Sequence, residues 1–105
     1  MALTREYKTT VLARIRRDPR FARAMYAEAI SAVLDGETAE GLSMLRDFVH
    51  AEITFKELAK QTGFDEKSLH RMLSGRGNPT VRSLSAVIRA IRQDIGFRPR
   101  ITVAA

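Results

Sequence analysis

The sequence contains no cysteine and no tryptophan among its 105 residues, and aromatic residues make up only 7% of it. The lack of cysteine excludes disulfide frameworks, thiolate catalysis and cysteine-ligated zinc sites. No apolar run approaches the roughly 20 residues that span a bilayer, and the first residues lack the apolar segment of a signal peptide. We therefore expect a cytoplasmic protein without membrane, metal or cofactor.

Acidic residues are also scarce, with 12 Asp and Glu against 18 Lys and Arg, which gives a formal net charge of +6. The charge is unevenly distributed along the chain. Residues 1–34 and 54–105 are basic, whereas residues 35–53 hold five acidic residues and a single arginine. A basic balance in a protein of this size favours nucleic acid as a partner.

Apolar residues recur at helical spacing between turn signals at Asp18-Pro19, Gly36, Gly63, Pro79 and Pro99. This pattern predicts an all-α protein of one domain, residues 1–105. Six helices are expected near 4–17, 19–34, 38–51, 55–62, 66–74 and 80–93. Residues 1–35 would form an N-terminal helical pair, 36–96 a helical bundle, and 97–105 an extended tail or edge strand.

Apolar stripes predict the buried face of each helix. The first stripe consists of Leu3, Tyr7, Val11 and Ile15, and the last of Val81, Leu84, Val87, Ile88, Ile91 and Ile95. We expect Leu58, Phe64, Leu69 and Leu84 to lie in the core. The apolar residues near the carboxyl end exceed what a chain end requires, which favours a dimer interface on the last helix and tail. They are Ile91, Ile95, Phe97, Ile101 and Val103.

Residues 55–74 have the sequence pattern of two short helices joined around a glycine. Thr54 and Glu57 have the spacing of a capping box, in which each side chain accepts from the other residue's amide. Gly63 supplies a residue that adopts positive φ at little steric cost, and Asp65 is placed as the N-cap of the second helix. The pattern predicts a helix-turn-helix.

A helix-turn-helix reads duplex DNA by placing its second helix in the major groove. The outward residues of that helix would be Glu66, Lys67, Ser68, His70 and Arg71, with Lys56 on the preceding helix. The glycine-rich loop that follows adds Arg76, Asn78 and Thr80 as candidates for phosphate contacts. An ordinary solvated face and a plain helix-to-helix turn are the alternative readings of the helix and the loop.

The pattern from Leu58-Ala59 through Gly63-Phe64 and Leu69 to Ile91 resembles the lambda-repressor-like (XRE) helix-turn-helix family over roughly residues 40–96. Within it, the run Leu69–Thr80 resembles the addiction-module antidote branch, the HigA-like antitoxins, whose usual form is SLYRALSxxGNPT. Such a family implies a lambda-repressor-like bundle and a homodimer that represses transcription from a palindromic operator. The branch further implies a cognate toxin protein as partner.

Two positions depart from the family pattern. Phe55 stands where many members carry a glutamine that braces phosphate and the recognition helix. The recognition helix also opens with Asp65-Glu66, and carboxylates are unfavourable beside phosphates. Asp65 is accounted for as a cap, whereas Glu66 would turn away, accept from a cytosine amine, or weaken binding.

DNA binding would place this protein at the nucleoid, but the sequence also bears on other functions. His50 and His70 lie on different predicted helices, and no metalloprotease, phosphate-loop or Ser/His/Asp motif is present, so we do not expect an enzyme. A helix-turn-helix protein-interaction module without DNA binding is one alternative. A free-standing XRE-type repressor without a toxin is another, and the sequence alone leaves the choice between repressor and antitoxin open.

Overall fold

The computed structural model describes residues 5–105 and contains six α-helices and no strand within them. The helices are α1 (Arg5–Arg17), α2 (Pro19–Leu34), α3 (Thr38–Glu52), α4 (Phe55–Thr62), α5 (Glu66–Met72) and α6 (Val81–Ile95). The predicted all-α class and the number of helices are confirmed. None of these helices combines the length and the apolar character that crossing a bilayer demands.

Local interactions set the boundary between α1 and α2 and the boundary between α2 and α3. The Asp18 carboxylate accepts from the amides of Arg20 and Phe21 at 3.1 and 3.3 Å, and Pro19 occupies the first helical position. These contacts satisfy donors that the first turn of a helix leaves free. After α2, Gly36 adopts a φ of +86° and turns the chain into α3. Both boundaries agree with the sequence prediction.

Helices α1, α2 and α3 pack together, with the most extensive contact between α2 and α3. A Cβ atom added at Gly41 would lie 2.6 Å from Val33 Cγ2 and 2.8 Å from the carbonyl oxygen of Ala29. The α3 backbone therefore touches α2 directly at this point. Beside the crossing, the rings of Tyr26 and Phe48 stack with centroids 4.9 Å apart.

Helix α4 joins this layer to the rest of the chain, because it contacts α3, α5 and α6. Its Leu58 is fully buried, as are Leu69 of α5 and Ile91 of α6. These residues belong to one contiguous core with the residues between α2 and α3. The α4–α5 pair is thereby packed against the other helices through this shared core.

The segment after α6 has no regular secondary structure and returns to the core. Gly96 ends α6 with a φ of +90°, and the Phe97 ring lies 6.3 Å from Tyr26 and 6.1 Å from Phe48, centroid to centroid. Ile91 and Ile95 also pack inside the chain. Of the five apolar residues expected at a dimer interface, only Ile101 and Val103 are left exposed.

Several expectations about the apolar stripes need correction. Leu3 lies outside the described residues. Tyr7 and Val81, in the first turns of α1 and α6, are 54% and 83% exposed rather than buried. Phe64 and Leu84 are half-buried at the edge of the core, whereas Leu58 and Leu69 are fully buried as expected.

Candidate nucleic-acid interface

Thr54 is the N-cap of helix α4 and has a φ of +82° and a ψ of 149°. A β-branched residue rarely adopts this backbone region. Its hydroxyl accepts from the Glu57 amide at 3.2 Å, which is one of the two hydrogen bonds predicted for the capping box. The other half does not form, because the Thr54 amide donates to the carbonyl of Val49 at 2.8 Å. The Glu57 carboxylate instead lies 3.9 Å from the ammonium of Lys60.

The turn between α4 and α5 follows the prediction closely. Gly63 has a φ of +80° and donates its amide to the carbonyl of Ala59 at 2.9 Å. The Asp65 carboxylate caps α5 by accepting from the Ser68 amide at 3.3 Å. Helix α5 ends at Met72 rather than at residue 74, because the chain tightens there and the Ser74 amide bonds the Arg71 carbonyl.

The burial of Leu69 and Leu73 sets the orientation of α5. With these residues inside, Glu66, Lys67, His70 and Arg71 are exposed, and Ser68 is half-buried. The face expected to point outward is therefore accessible. It presents two basic side chains, one imidazole and one carboxylate within two turns of helix.

His70 lies flat against another ring rather than free in solvent. Its centroid is 3.8 Å from that of Phe55, with 19° between the ring planes, and Phe55 itself is only 4% exposed. The centroid of the His50 ring is 6.5 Å from that of Phe55, with 55° between the ring planes. Stacking restricts the imidazole to one plane while its edge stays accessible. Sequence reasoning treated Phe55 only as a replaced glutamine and missed this contact.

The loop after α5 is tightly folded. The Ser74 hydroxyl donates to the Arg71 carbonyl at 2.8 Å, and the Gly77 amide donates to the Ser74 carbonyl at 2.9 Å. A Cβ atom on Gly77 would lie 2.7 Å from the carbonyl carbon of Met72, and closer still to its oxygen. The absence of a side chain at Gly77 therefore lets the loop close against α5, with Arg76 and Asn78 exposed.

Thr80 caps α6, as predicted. Its hydroxyl accepts from the Ser83 amide at 3.0 Å and donates to the Ser83 hydroxyl at 3.0 Å. The hydroxyl hydrogen of Thr80 is thus directed at Ser83 in this arrangement. Ser83 was absent from the residues predicted for the site, although its position three residues after a cap is a signal that could have indicated it.

A depression of about 320 Å³ opens between α5, the loop and the start of α6. Polar side chains from all three segments line it: Ser68, Arg71, Arg76, Asn78, Thr80 and Ser83. Two guanidinium groups thus contribute to its lining, and no carboxylate of the described chain does. The structure brings five of the predicted residues together here, while Lys56, Glu66, Lys67 and His70 lie outside the lining.

Comparison with protein-family models, with curated proteins and with solved structures finds no match. The family resemblance therefore stays a prediction, and the functional argument rests on the geometry of the chain. Among residues 5–105, no three His, Asp or Glu side chains come together as a metal site requires.

A second polar groove, of about 510 Å³, runs between α4 and α6. Arg82 and Arg89 line it together with Gln61, whose amide donates to the Asp94 carboxylate at 3.1 Å. Arg82 lies two residues after Thr80 and extends the basic surface beyond the loop. Sequence reasoning did not select it, because nothing in the pattern separates it from an ordinary solvated arginine.

Proposed function

We propose that the chain binds duplex DNA with α4, the Gly63 turn and α5 acting as a helix-turn-helix. The observation that carries this proposal is the depression lined by Arg71, Arg76, Asn78 and other polar groups without a carboxylate. An α-helix fits the major groove, and side chains on its exposed face reach base edges. Guanidinium and amide groups on an adjacent loop suit phosphate oxygens.

The two arginines have different roles in this proposal. Arg76 lies on the loop, where contact with a phosphate neutralises charge without reading sequence. Arg71 lies on the exposed face of α5, where a guanidinium can donate to the edge of a guanine. These side chains lie on separate but adjoining segments and line one depression. This arrangement supports a surface that contacts the DNA backbone and the groove together.

The test is a salt titration of binding to a duplex selected from a randomised pool and to a scrambled duplex. Arg76→Ala is expected to weaken binding to both equally and to flatten the slope of log affinity against log salt by about 0.9. Arg71→Ala is expected to cost about 1–3 kcal/mol at one base position. Arg46→Ala, an exposed arginine of α3, serves as the matched control.

Absence of any duplex binding at low salt for the wild-type protein would overturn the proposal and favour a protein-interaction module. Equal loss on both duplexes for Arg71→Ala would make Arg71 a phosphate contact only. In that case, Lys67 and Ser68 would be the remaining candidates on α5 for contacts with the bases.

We further propose transcription regulation as the purpose of this binding, with the antitoxin of a toxin–antitoxin module as the specific form. This step depends on the resemblance of residues 69–80 to the HigA-like pattern. Co-expression with the product of a neighbouring reading frame is the test. Rescue of growth together with co-purification supports the antitoxin, and repression without such a partner supports a free-standing XRE-type repressor.

A further inference from the structure

A depression of about 330 Å³ opens between α2 and the tail that follows α6, and we refer to it as the α2–tail depression. Its apolar lining consists of Ala27, Ile30, Phe97 and Pro99. Small-molecule sites in proteins occupy about 300–1,000 Å³ and combine apolar walls with a few polar groups. The α2–tail depression shares no lining residue with the depression beside α5. It is therefore separate from the surface proposed to bind DNA.

Three arginines line the α2–tail depression, Arg23 from α2 and Arg98 and Arg100 from the tail. All three are exposed, no carboxylate belongs to the lining, and within residues 5–105 none of the three forms an ion pair. The guanidinium carbon of Arg23 lies 5.6 Å from the centroid of the Phe97 ring, so that positive charge adjoins an apolar wall. A guanidinium presents a planar set of donors that matches a carboxylate. An anion with an apolar body therefore suits this lining.

Tyr26 supplies a further polar group to the lining. The residue is 3% exposed, and its hydroxyl has no hydrogen-bond partner among residues 5–105. A buried donor without a partner is unfavourable, and most buried polar groups in proteins have one. Burial raises the pKa of this hydroxyl to about 12, so the group stays protonated at neutral pH and can donate. An acceptor oxygen on a ligand would supply the partner that the chain does not.

We propose that the α2–tail depression binds a small organic carboxylate whose apolar body carries an acceptor oxygen at the end opposite the carboxylate. The apolar body contacts Ile30 and Phe97, the carboxylate contacts the guanidinium groups, and the acceptor oxygen receives the Tyr26 hydroxyl. The tail that forms one wall has no regular secondary structure. A local shift of this wall lets the ligand reach a hydroxyl that is buried in the free chain.

The first experiment compares two benzoates of nearly equal shape by NMR titration of the isotope-labelled protein. The compound para-acetylbenzoate carries a ketone oxygen where para-isopropylbenzoate carries a methyl group. In Tyr26→Phe, the ratio of their dissociation constants is expected to shift against the acetyl compound by about three- to tenfold, the value of one hydrogen bond. The ratio cancels any effect of the substitution that both ligands share. Tyr7→Phe, outside the depression, is the control and should leave the ratio unchanged.

The second experiment tests the arginines with para-acetylbenzoate. Arg23→Gln is expected to weaken binding by about two- to fivefold, the range for one exposed ion pair, and added salt should weaken binding to the wild-type protein. Combining Arg23→Gln with Arg98→Gln and Arg100→Gln should cost about tenfold or more, because such separate contacts act nearly additively. Arg46→Gln changes an exposed arginine of α3 outside the depression and should bind as the wild type does.

Absence of saturable binding of either benzoate up to about 10 mM would overturn the proposal. Equally tight binding of inorganic phosphate would also overturn it, because phosphate has the charge without the apolar body. An unchanged ratio in Tyr26→Phe would refute the contact with the hydroxyl. A loss of duplex affinity in Arg23→Gln without a loss of benzoate affinity would assign the arginines to DNA instead. A shifted ratio together with weaker binding by the arginine variants supports the proposal, whether or not the chain binds DNA.

Discussion

The loop glycines offer a sharp test of the packing between α5 and the segment that follows it. Gly75 and Gly77 lie two residues apart, and neither has a positive φ. A Cβ atom on Gly75 meets nothing within 4 Å, whereas one on Gly77 lies 2.9 Å from the Arg71 carbonyl oxygen and 2.7 Å from the Met72 carbonyl carbon. The two Gly→Ala substitutions therefore add the same atom to very different surroundings.

Optimal separation of non-bonded carbon atoms is about 3.5–4.0 Å. The loop would thus have to move by roughly 1 Å to accept Gly77→Ala, and the groups in its way are backbone atoms that cannot rotate aside. We expect a cost of about 1–3 kcal/mol, the range for added methylenes in packed sites. Gly75→Ala is expected to be neutral or to stabilise by about 0.4–1 kcal/mol, because it restricts the unfolded chain.

The assay is urea unfolding followed by circular dichroism at 222 nm, with duplex binding measured on the same samples. Because Arg76 lies between the two glycines, Gly77→Ala should also weaken duplex binding, and Gly75→Ala should not. If the two variants differ in unfolding free energy by less than about 0.5 kcal/mol, the ordinary scatter of surface substitutions, the close packing of this loop is refuted.

Three further predictions concern the core and the α4–α5 contact. Leu69→Ala is expected to lower the unfolding free energy by about 2–5 kcal/mol, because Leu69 is fully buried; a loss below about 0.5 kcal/mol would mean that α5 faces the core differently. Burial raises the pKa of Tyr26 to about 12 from its ordinary 10.0, and its hydroxyl has no hydrogen-bond partner among the described residues. Since the folded chain keeps this proton after the unfolded chain has lost it, stability should fall as pH rises from about 10 to about 12, by up to about 1.4 kcal/mol per pH unit. Urea unfolding at several alkaline pH values should show that Tyr26→Phe removes this loss of stability with pH. The control Tyr7→Phe, at an exposed position, should retain it. An unchanged dependence of stability on pH in Tyr26→Phe would contradict the assignment of this effect to Tyr26. Phe55→Leu keeps an apolar side chain at α4 but removes the ring against His70, so the His70 ring protons should lose their upfield NMR shift. Duplex affinity should then fall by the same factor in Phe55→Leu as in His70→Ala, with no further loss in the double variant, whereas additive losses would show that the stack does not act through His70.

The helix boundaries could be predicted from sequence because they depend on local chemistry. Asp18, Asp65 and Thr80 accept from amides two or three residues ahead, and Gly63 adopts a backbone region that few other residues tolerate. Such signals involve neighbours in the chain and need no knowledge of the tertiary structure. The end of α5 was predicted two residues too late, because the tightening after Met72 depends on how the loop packs back.

The side-chain contacts of the candidate site were harder to predict. The stack of His70 on Phe55 joins residues fifteen positions apart, and its formation depends on the crossing of α4 and α5. Phe97 follows the last helix and looked available to a partner, yet it packs beside Tyr26 and Phe48. Threonine is an ordinary residue type for an N-cap, so the sequence gives no sign that Thr54 adopts a positive φ. The path of the chain between α3 and α4 imposes this conformation.

The crossing at Gly41 has a consequence that extends to the protein surface. A helix interior normally favours alanine over glycine by about 1 kcal/mol, but here any side chain would meet Val33 and the backbone of α2. The residue after Val33 is Leu34, at the exposed end of the same helix. A side chain at position 41 would therefore push α2 outward. A movement by one atomic diameter would carry Leu34 and Asp35 away from α6. Position 41, although buried, should in this way control the placement of exposed residues that it does not touch.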